Sequence, residues 1–288
     1  MRDEIAVLPA LIETIEAQTV RPAVWVIVDD GSQDGSGVFL AEAQKTRPWL
    51  VVVPSSDAPT EYLGNHVARV IRQGVTEAMR VADEQKIPFG YVGVLGSDML
   101  LPPNHYQVLR DVMEADPRLG ITSSVIQSPG PDGKVGVEPL QYEELPRGGT
   151  QFFRRRCLDE IGGIPPHMGY DGAANAKAIC RGWRLRLLPD LVSIQSRRTS
   201  TREGMVTGYR RKARYSWFLG HHPLLILARS VAYTRQSPHD AGYVFLRAWL
   251  EEAWKGSPRC EDPEVRRHYG HDRLRQYLHA KTLLRTLR

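Results

Sequence analysis

Apolar residues recur at helical spacing at Leu8, Leu11, Ile12 and Ile15, and the pattern breaks between Thr19 and Pro22. The continuous apolar run that follows, Val24 to Val28, predicts a buried strand. Gly31-Ser32-Gln33-Asp34-Gly35-Ser36 reads as a turn into a second helix around Val38 to Gln44, and Leu50 to Val53 as another short strand. A long helix is predicted from about Asn65 to Gln85, with Val67, Val70, Ile71, Val75 and Met79 on its apolar face. It leads into a strand, Tyr91 to Leu95, that stops at Gly96-Ser97-Asp98. Beyond Pro102-Pro103 the pattern predicts a helix from Asn104 to Asp116, a strand from Gly120 to Ile126 and a Pro/Gly-rich loop, Ser128 to Gly136. Gly148 to Phe153 reads as a strand, Arg154 to Ile161 as a short helix closed by Gly162-Gly163, Ala173 to Cys180 as a helix, and Trp183 to Leu188 as a strand. Alternating strands and helices predict an α/β domain with a mostly parallel sheet.

In open α/β sheets, ligands sit at the carboxyl ends of the strands. Asp29, Asp30 and Asp98 are therefore expected to converge on one crevice. Carboxylates there suit a hard cation such as Mg²⁺ or Mn²⁺, which prefers oxygen ligands, or the hydroxyls of a bound ligand. A lone strand-end aspartate can equally well cap the next helix.

The character of the chain changes near Arg197. Residues 1–196 carry 19 Lys+Arg against 25 Asp+Glu, a net −6, whereas residues 197–288 carry 19 against 8, a net +11. Such a basic region can meet nucleic acid, an anionic membrane surface or a phosphate-bearing substrate, or can be a solvated face. Tyr215 to Leu227 is apolar and aromatic and is flanked by Arg210, Arg211, Lys212, Arg214 and Arg229. That composition fits either a membrane interface or a helix packed on the first domain. Tyr209, Tyr215 and Trp217 among these cations fit single-stranded nucleic acid loosely, which makes nucleic acid the less favoured partner. His221-His222 is a poor metal pair, because adjacent helical residues point about 100° apart.

The whole chain, 288 residues with 42% hydrophobic content, can bury a sizeable core. Its opening, Met1-Arg2-Asp3-Glu4, does not read as a secretory signal, and no apolar run approaches the ~20 residues needed to span a bilayer. The cytoplasm, or the inner face of the cell membrane, is the expected location. Cys157, Cys180 and Cys260 are too scattered for a disulfide framework or a zinc site. No Gly-x-Ser-x-Gly elbow for a serine hydrolase occurs, and the Gly-rich loop of a nucleotidyltransferase is missing after the first strand.

The ordered series Leu8-Pro9, Leu11-Ile12-Glu13, Gln18-Thr19, Val28-Asp29-Asp30-Gly31-Ser32, Leu95 to Pro103, Gly149, Arg154-Arg155, Gly162-Gly163 and Asp171 resembles the family 2, GT-A-type inverting glycosyltransferases, of the bacterial or archaeal polysaccharide and glycolipid kind. The resemblance covers residues 1 to about 200 and implies a Rossmann-like nucleotide-sugar domain there, with a basic, mainly helical extension over 201–288. It implies that Glu4, Asp29, Asp30, Gly31, Ser32 and Asp98 bind the nucleotide-sugar donor. By the same resemblance, Asp98 holds Mg²⁺ or Mn²⁺, and Asp171 is the catalytic base toward a saccharide or lipid-linked acceptor. The aromatic-Gly-x-His-Pro-Leu stretch at Phe218 to Leu224 is similar to one that follows the catalytic domain in relatives with lipid acceptors.

Three departures from the family pattern stand out. Its first strand is missing before Asp3-Glu4, the pair that resembles the Asn-Glu following that strand. Gly96 replaces the first acid of the Asp-x-Asp metal motif, and Gln195 stands where a histidine usually approaches the metal. Arg197 or Arg198 could contact the diphosphate in its place. A catalytically impaired nucleotide-sugar-binding homologue is the alternative these departures imply.

Overall fold

Leu8, Leu11, Ile12 and Ile15 are all buried, on one face of α1 (Leu8–Glu16). The computed structural model describes residues 1–56, 63–129, 135–136, 145–196, 204–235 and 239–286. α1 packs with α2 (Ser36–Lys45) on the parallel pair β1 (Trp25–Asp29) and β2 (Leu50–Pro54), through Leu8, Leu11, Ile12, Ile27, Leu40 and Leu50. The 22-residue α3 (Leu63–Glu84) also packs against β1. Val70 and Val75 turn inward on α3, whereas Val67 is 47% exposed, contrary to its expected place on the apolar face; its neighbours His66 and Ala68 are buried instead.

A second sheet has the order β3-β7-β5-β8-β4: β3 (Tyr91–Gly93), β7 (Phe152–Arg154), β5 (Leu119–Pro129), β8 (Arg184–Gln195) and β4 (Met99–Leu100), with β6 (Val135–Gly136) paired to β5. The α/β class holds, with mixed strand pairing. Among the described strands, β1–β2 and β5–β8 are the parallel pairs. β8 lies parallel to β5 because α5 (Arg155–Glu160) and α6 (Tyr170–Cys180) carry the chain back between them, the crossover a parallel neighbour requires. β7 instead enters antiparallel between β3 and β5. α4 (His105–Ala115) covers the sheet, burying Leu109 and Met113 with Phe152 and Leu188.

Several boundaries differ from the sequence pattern. Gly148–Thr150 is a 3₁₀ turn, so strand pairing starts only at Phe152. β8 runs twelve residues, well past Leu188, and so reaches Gln195. On the edge of β1 away from β2, Met1 N donates to Val28 O at 2.7 Å and Asp30 N donates to Met1 O at 2.8 Å. This is one parallel rung on that edge.

The chain divides into two compact units, residues 1–198 and 199–288. The second is helical, as expected: α7 (Gly204–Phe218), α8 (Pro223–Thr234), α9 (Ala241–Trp254), α10 (Pro263–Arg267), a π-helical turn at His268–Asp272, and α11 (Arg273–Thr286). Trp217, Ile226, Tyr233, Phe245 and Trp249 form its core. Gly242 lets α9 approach α8 closely, since a Cβ there would lie 2.1 Å from Ser230 O.

Candidate functional site

β1 ends in Asp29 and Asp30, and the two carboxylates have different duties. Asp29 Oδ1 accepts the Ser32 hydroxyl at 2.6 Å and the Ser32 amide at 3.1 Å, closing the turn through Gly31. Gly31 has φ +73°, a conformation that favours glycine. Asp29 Oδ2 faces α2, where a Cβ on Gly37 would meet it at 2.9 Å. Asp29, Gly31 and Ser32 therefore build the loop in which they were expected to bind a ligand. Asp30 Oδ2, in contrast, lies 2.7 Å from His66 Nε2 on the first turns of α3.

The segment Met1 to Ile5 is knitted to this loop. Asp3 N donates to Ser32 Oγ, Glu4 N to Ser36 Oγ and Ile5 N to Asp34 Oδ2, each at 3.0 Å. Glu4 itself is buried. The Ser36 hydroxyl in turn donates to Asp34 Oδ1, and these hydrogen bonds hold the Asp34 carboxyl below its ordinary pKa.

Asp98 and Asp171 are organised by the glycine pair at 148–149. Gly96 N donates to Gly149 O at 2.9 Å, tying the turn before Asp98 to this pair. Gly148 N donates to Asp171 Oδ2 at 3.3 Å, while Gly172 N donates to Asp171 Oδ1 at 2.8 Å. The carboxylate is thus oriented by two backbone amides. A larger residue at 148 requires a shift of its surroundings, since a Cβ there would lie 2.3 Å from the Tyr170 hydroxyl. α6 begins at Tyr170, earlier than expected, with Gly169 at its N-cap in the left-handed conformation (φ +77°), so Asp171 lies in the first helical turn rather than capping it.

Asp98 is fixed from two sides. Gln195 Nε2 donates to its Oδ2 at 3.0 Å, and Ser196 N donates to its backbone oxygen at 2.8 Å. Behind it, Gln18 Nε2 donates to Pro102 O and Thr14 O, and Thr19 N donates to Pro103 O, which pins the end of α1 to the segment following Asp98. Among the described residues, no group of three potential metal ligands includes Asp98. Asp98 offers a carboxylate to a hard cation, which would draw its other oxygens from a bound ligand and water.

The two groups of acids are joined through α3. Asn65 Oδ1 accepts the Met168 amide at 2.6 Å, two residues before α6, while the adjacent His66 reaches Asp30. Gly64 allows this, because a Cβ there would lie 2.9 Å from Met168 Cγ. Asn65 and His66 were not singled out in the sequence. The signal available was Gly64-Asn65-His66, three small or polar residues opening an otherwise amphipathic helix. Arg197 and Arg198 lie outside the described residues.

Residues 1–173 match the model of the family described as Glycosyl transferase family 2. No curated protein matches the sequence significantly. Among solved structures, the mannosyltransferase PcManGT from Pyrobaculum calidifontis, in complex with GDP-Man and Mn²⁺, is similar with a TM-score of 0.54 at 18% identity, over 88% of this chain and 68% of that one. S. aureus TarS 1-349 in complex with UDP is similar with a TM-score of 0.51 at 13% identity, over 89% of this chain and 90% of that one. At these identities the likeness is one of fold.

Proposed function

The chain belongs to glycosyl transferase family 2, and from that premise we propose that it moves a sugar from a nucleoside-diphosphate donor to a saccharide or lipid-linked acceptor, with inversion at the anomeric carbon. The observation that carries this reading is the Asp171 carboxylate, held by the Gly148 and Gly172 amides beside the glycine that anchors the turn before Asp98. A base and a diphosphate-side carboxylate are then organised by one short backbone segment.

In the proposed step, Asp171 takes the proton of the acceptor hydroxyl as its oxygen attacks the anomeric carbon. The bond from that carbon to the diphosphate breaks from the opposite face, and the electron pair leaves with the diphosphate oxygen. Asp30, steadied by His66, and the loop at Asp29 to Ser32 form the nucleotide side, with Glu4 supporting that loop. Mg²⁺ or Mn²⁺ bound at Asp98 would neutralise charge on the departing diphosphate. Arg197 and Arg198 follow Gln195 and Ser196, which bond Asp98, and are proposed as diphosphate contacts. We place the reaction in the cytoplasm, at the inner face of the cell membrane, in polysaccharide or glycolipid synthesis of bacterial or archaeal type. The basic C-terminal residues would provide the peripheral membrane contact.

One observation favours a second reading. Gln195 Nε2 bonds an oxygen of Asp98, and Gly96 offers no second acid, which suits a protein that binds nucleotide sugars without turning them over. Assay of purified protein against UDP- and GDP-sugars with and without Mn²⁺ separates the two. Transfer lost in Asp171→Ala, with donor binding kept, and a Mn²⁺ response lost in Asp98→Ala are expected. Donor binding without turnover in the unmodified chain would favour the second reading, and transfer that survives Asp171→Ala would remove Asp171 as the base.

A further inference from the structure

The apolar stretch from Tyr215 to Leu227 is divided by the structure. Trp217, Leu219 and Ile226 are buried in the helical unit, but Leu224 and Leu227 on α8 point outward. With Val231 they are spaced by three and four residues, which puts them on one face of the helix. α9 repeats the arrangement: Tyr243, Leu250 and Trp254 are exposed at spacings of seven and four, opposite the buried Ala241, Phe245 and Trp249. Trp254 is 88% exposed, and Lys255 follows it. Arg247 lies in the same row. Single exposed apolar residues are ordinary, but ordered rows on two neighbouring helices mark an interaction surface.

The charge of this unit identifies the occupant. Residues 199–288 carry 17 Lys+Arg against 8 Asp+Glu, a net +9. A second copy would bring a unit of like net charge, whereas an anionic bilayer neutralises the cations of the unit that come near its surface, at about 1 kcal/mol each. Tryptophan and tyrosine flanked by cations suit the headgroup level, with an apolar body and a polar tip. No described helix is long and apolar enough to cross a membrane, so the contact is along the surface.

We propose that the outward rows of α8 and α9 dock on an anionic lipid surface. Leu224, Leu227, Val231, Leu250 and Trp254 enter the boundary between head groups and acyl chains, with Lys255 among the phosphates and Arg247, which is paired with Glu251 at 3.0 Å, beside them. This deepens the membrane contact proposed above and rests on that reading.

The full chain is tested by co-sedimentation with vesicles of phosphatidylcholine alone and of phosphatidylcholine mixed with phosphatidylglycerol, without donor or acceptor. Binding to the mixed vesicles, weakened by salt, is expected. Trp254→Glu combined with Leu227→Glu should lower the partition coefficient at least about tenfold, equivalent to about 1.4 kcal/mol, with donor binding and circular dichroism unchanged. A blue shift of tryptophan emission on mixed vesicles, absent in Trp254→Phe, reports insertion at this row independently of the charged variants. Equal binding to both vesicle types, binding unaffected by the double substitution, or a dimer that Trp254→Glu dissociates would each overturn the proposal. Sugar transfer is read separately, so loss of vesicle binding leaves the catalytic reading intact, and the converse holds.

Discussion

His66 Nε2 lies 2.7 Å from Asp30 Oδ2, and both side chains are largely buried, at 5% and 12% exposure. An Nε2–H donated to the carboxylate leaves Nδ1 as the other ring nitrogen, and it is buried with no hydrogen-bond partner among the described residues. The pair joins the end of β1 to α3, so the imidazole sets where the second strand-end acid can point. His66→Ala should weaken donor nucleotide binding roughly tenfold, in line with about 1.5–3 kcal/mol for a hydrogen bond to a charged group partly replaced by water. The loss should fall on donor affinity, with kcat at saturating donor changed less. Calorimetric titration with the nucleoside diphosphate decides it, and unchanged affinity would leave His66 a packing residue.

Gly148→Ala tests the glycine pair. Its new Cβ would meet the Tyr170 hydroxyl at 2.3 Å and Cζ at 2.8 Å, so either the 3₁₀ turn or the start of α6 must shift. A stability loss of about 1–3 kcal/mol is expected for such overpacking. Because the same backbone amide orients Asp171, transfer should drop further than the fraction of folded protein explains. Denaturant unfolding alongside kcat separates the two effects, and a variant of normal stability and activity would show that the turn tolerates displacement.

The helical unit should be sensitive to acid. His221 and His268 are buried among helices and stacked on or edged against Tyr269, and desolvation pulls their pKa values down to about 3 and about 4. An unfolded imidazole titrates near 6.5. These two groups therefore favour the folded state fully above about pH 6.5, and that contribution is lost as the pH falls from there toward 4 and 3. The unfolded chain binds the extra protons, so each imidazole steepens the loss toward about 1.4 kcal/mol per pH unit well below 6.5. Urea melts followed by tryptophan fluorescence at pH 7.5 and 5 should differ accordingly, and His221→Phe should flatten part of the dependence. Identical melts at both pH values would contradict the burial of these rings.

Local pattern in the sequence was enough for the class of fold and for most elements. The helical spacing of Leu8 to Ile15, the apolar run into Asp29-Asp30 and the proline pair after Asp98 each express a short-range preference that packing did not override. Asp29, Asp30 and Asp98 were visible as candidates because strand ends can be read locally, and Asp171 through the family resemblance. Their duties were not. That Asp30 meets His66 and that Asp98 accepts from Gln195 depends on contacts across 36 and 97 residues. Periodicity also placed Val67 inside and gave no sign that β7 would enter antiparallel. Tertiary structure decided both, because the face a helix buries and the direction in which a strand joins its neighbour are set by what lies across from them. The division of Tyr215 to Leu227 into core and surface has the same cause: hydrophobicity is a property of the residue, but burial is a property of its partners.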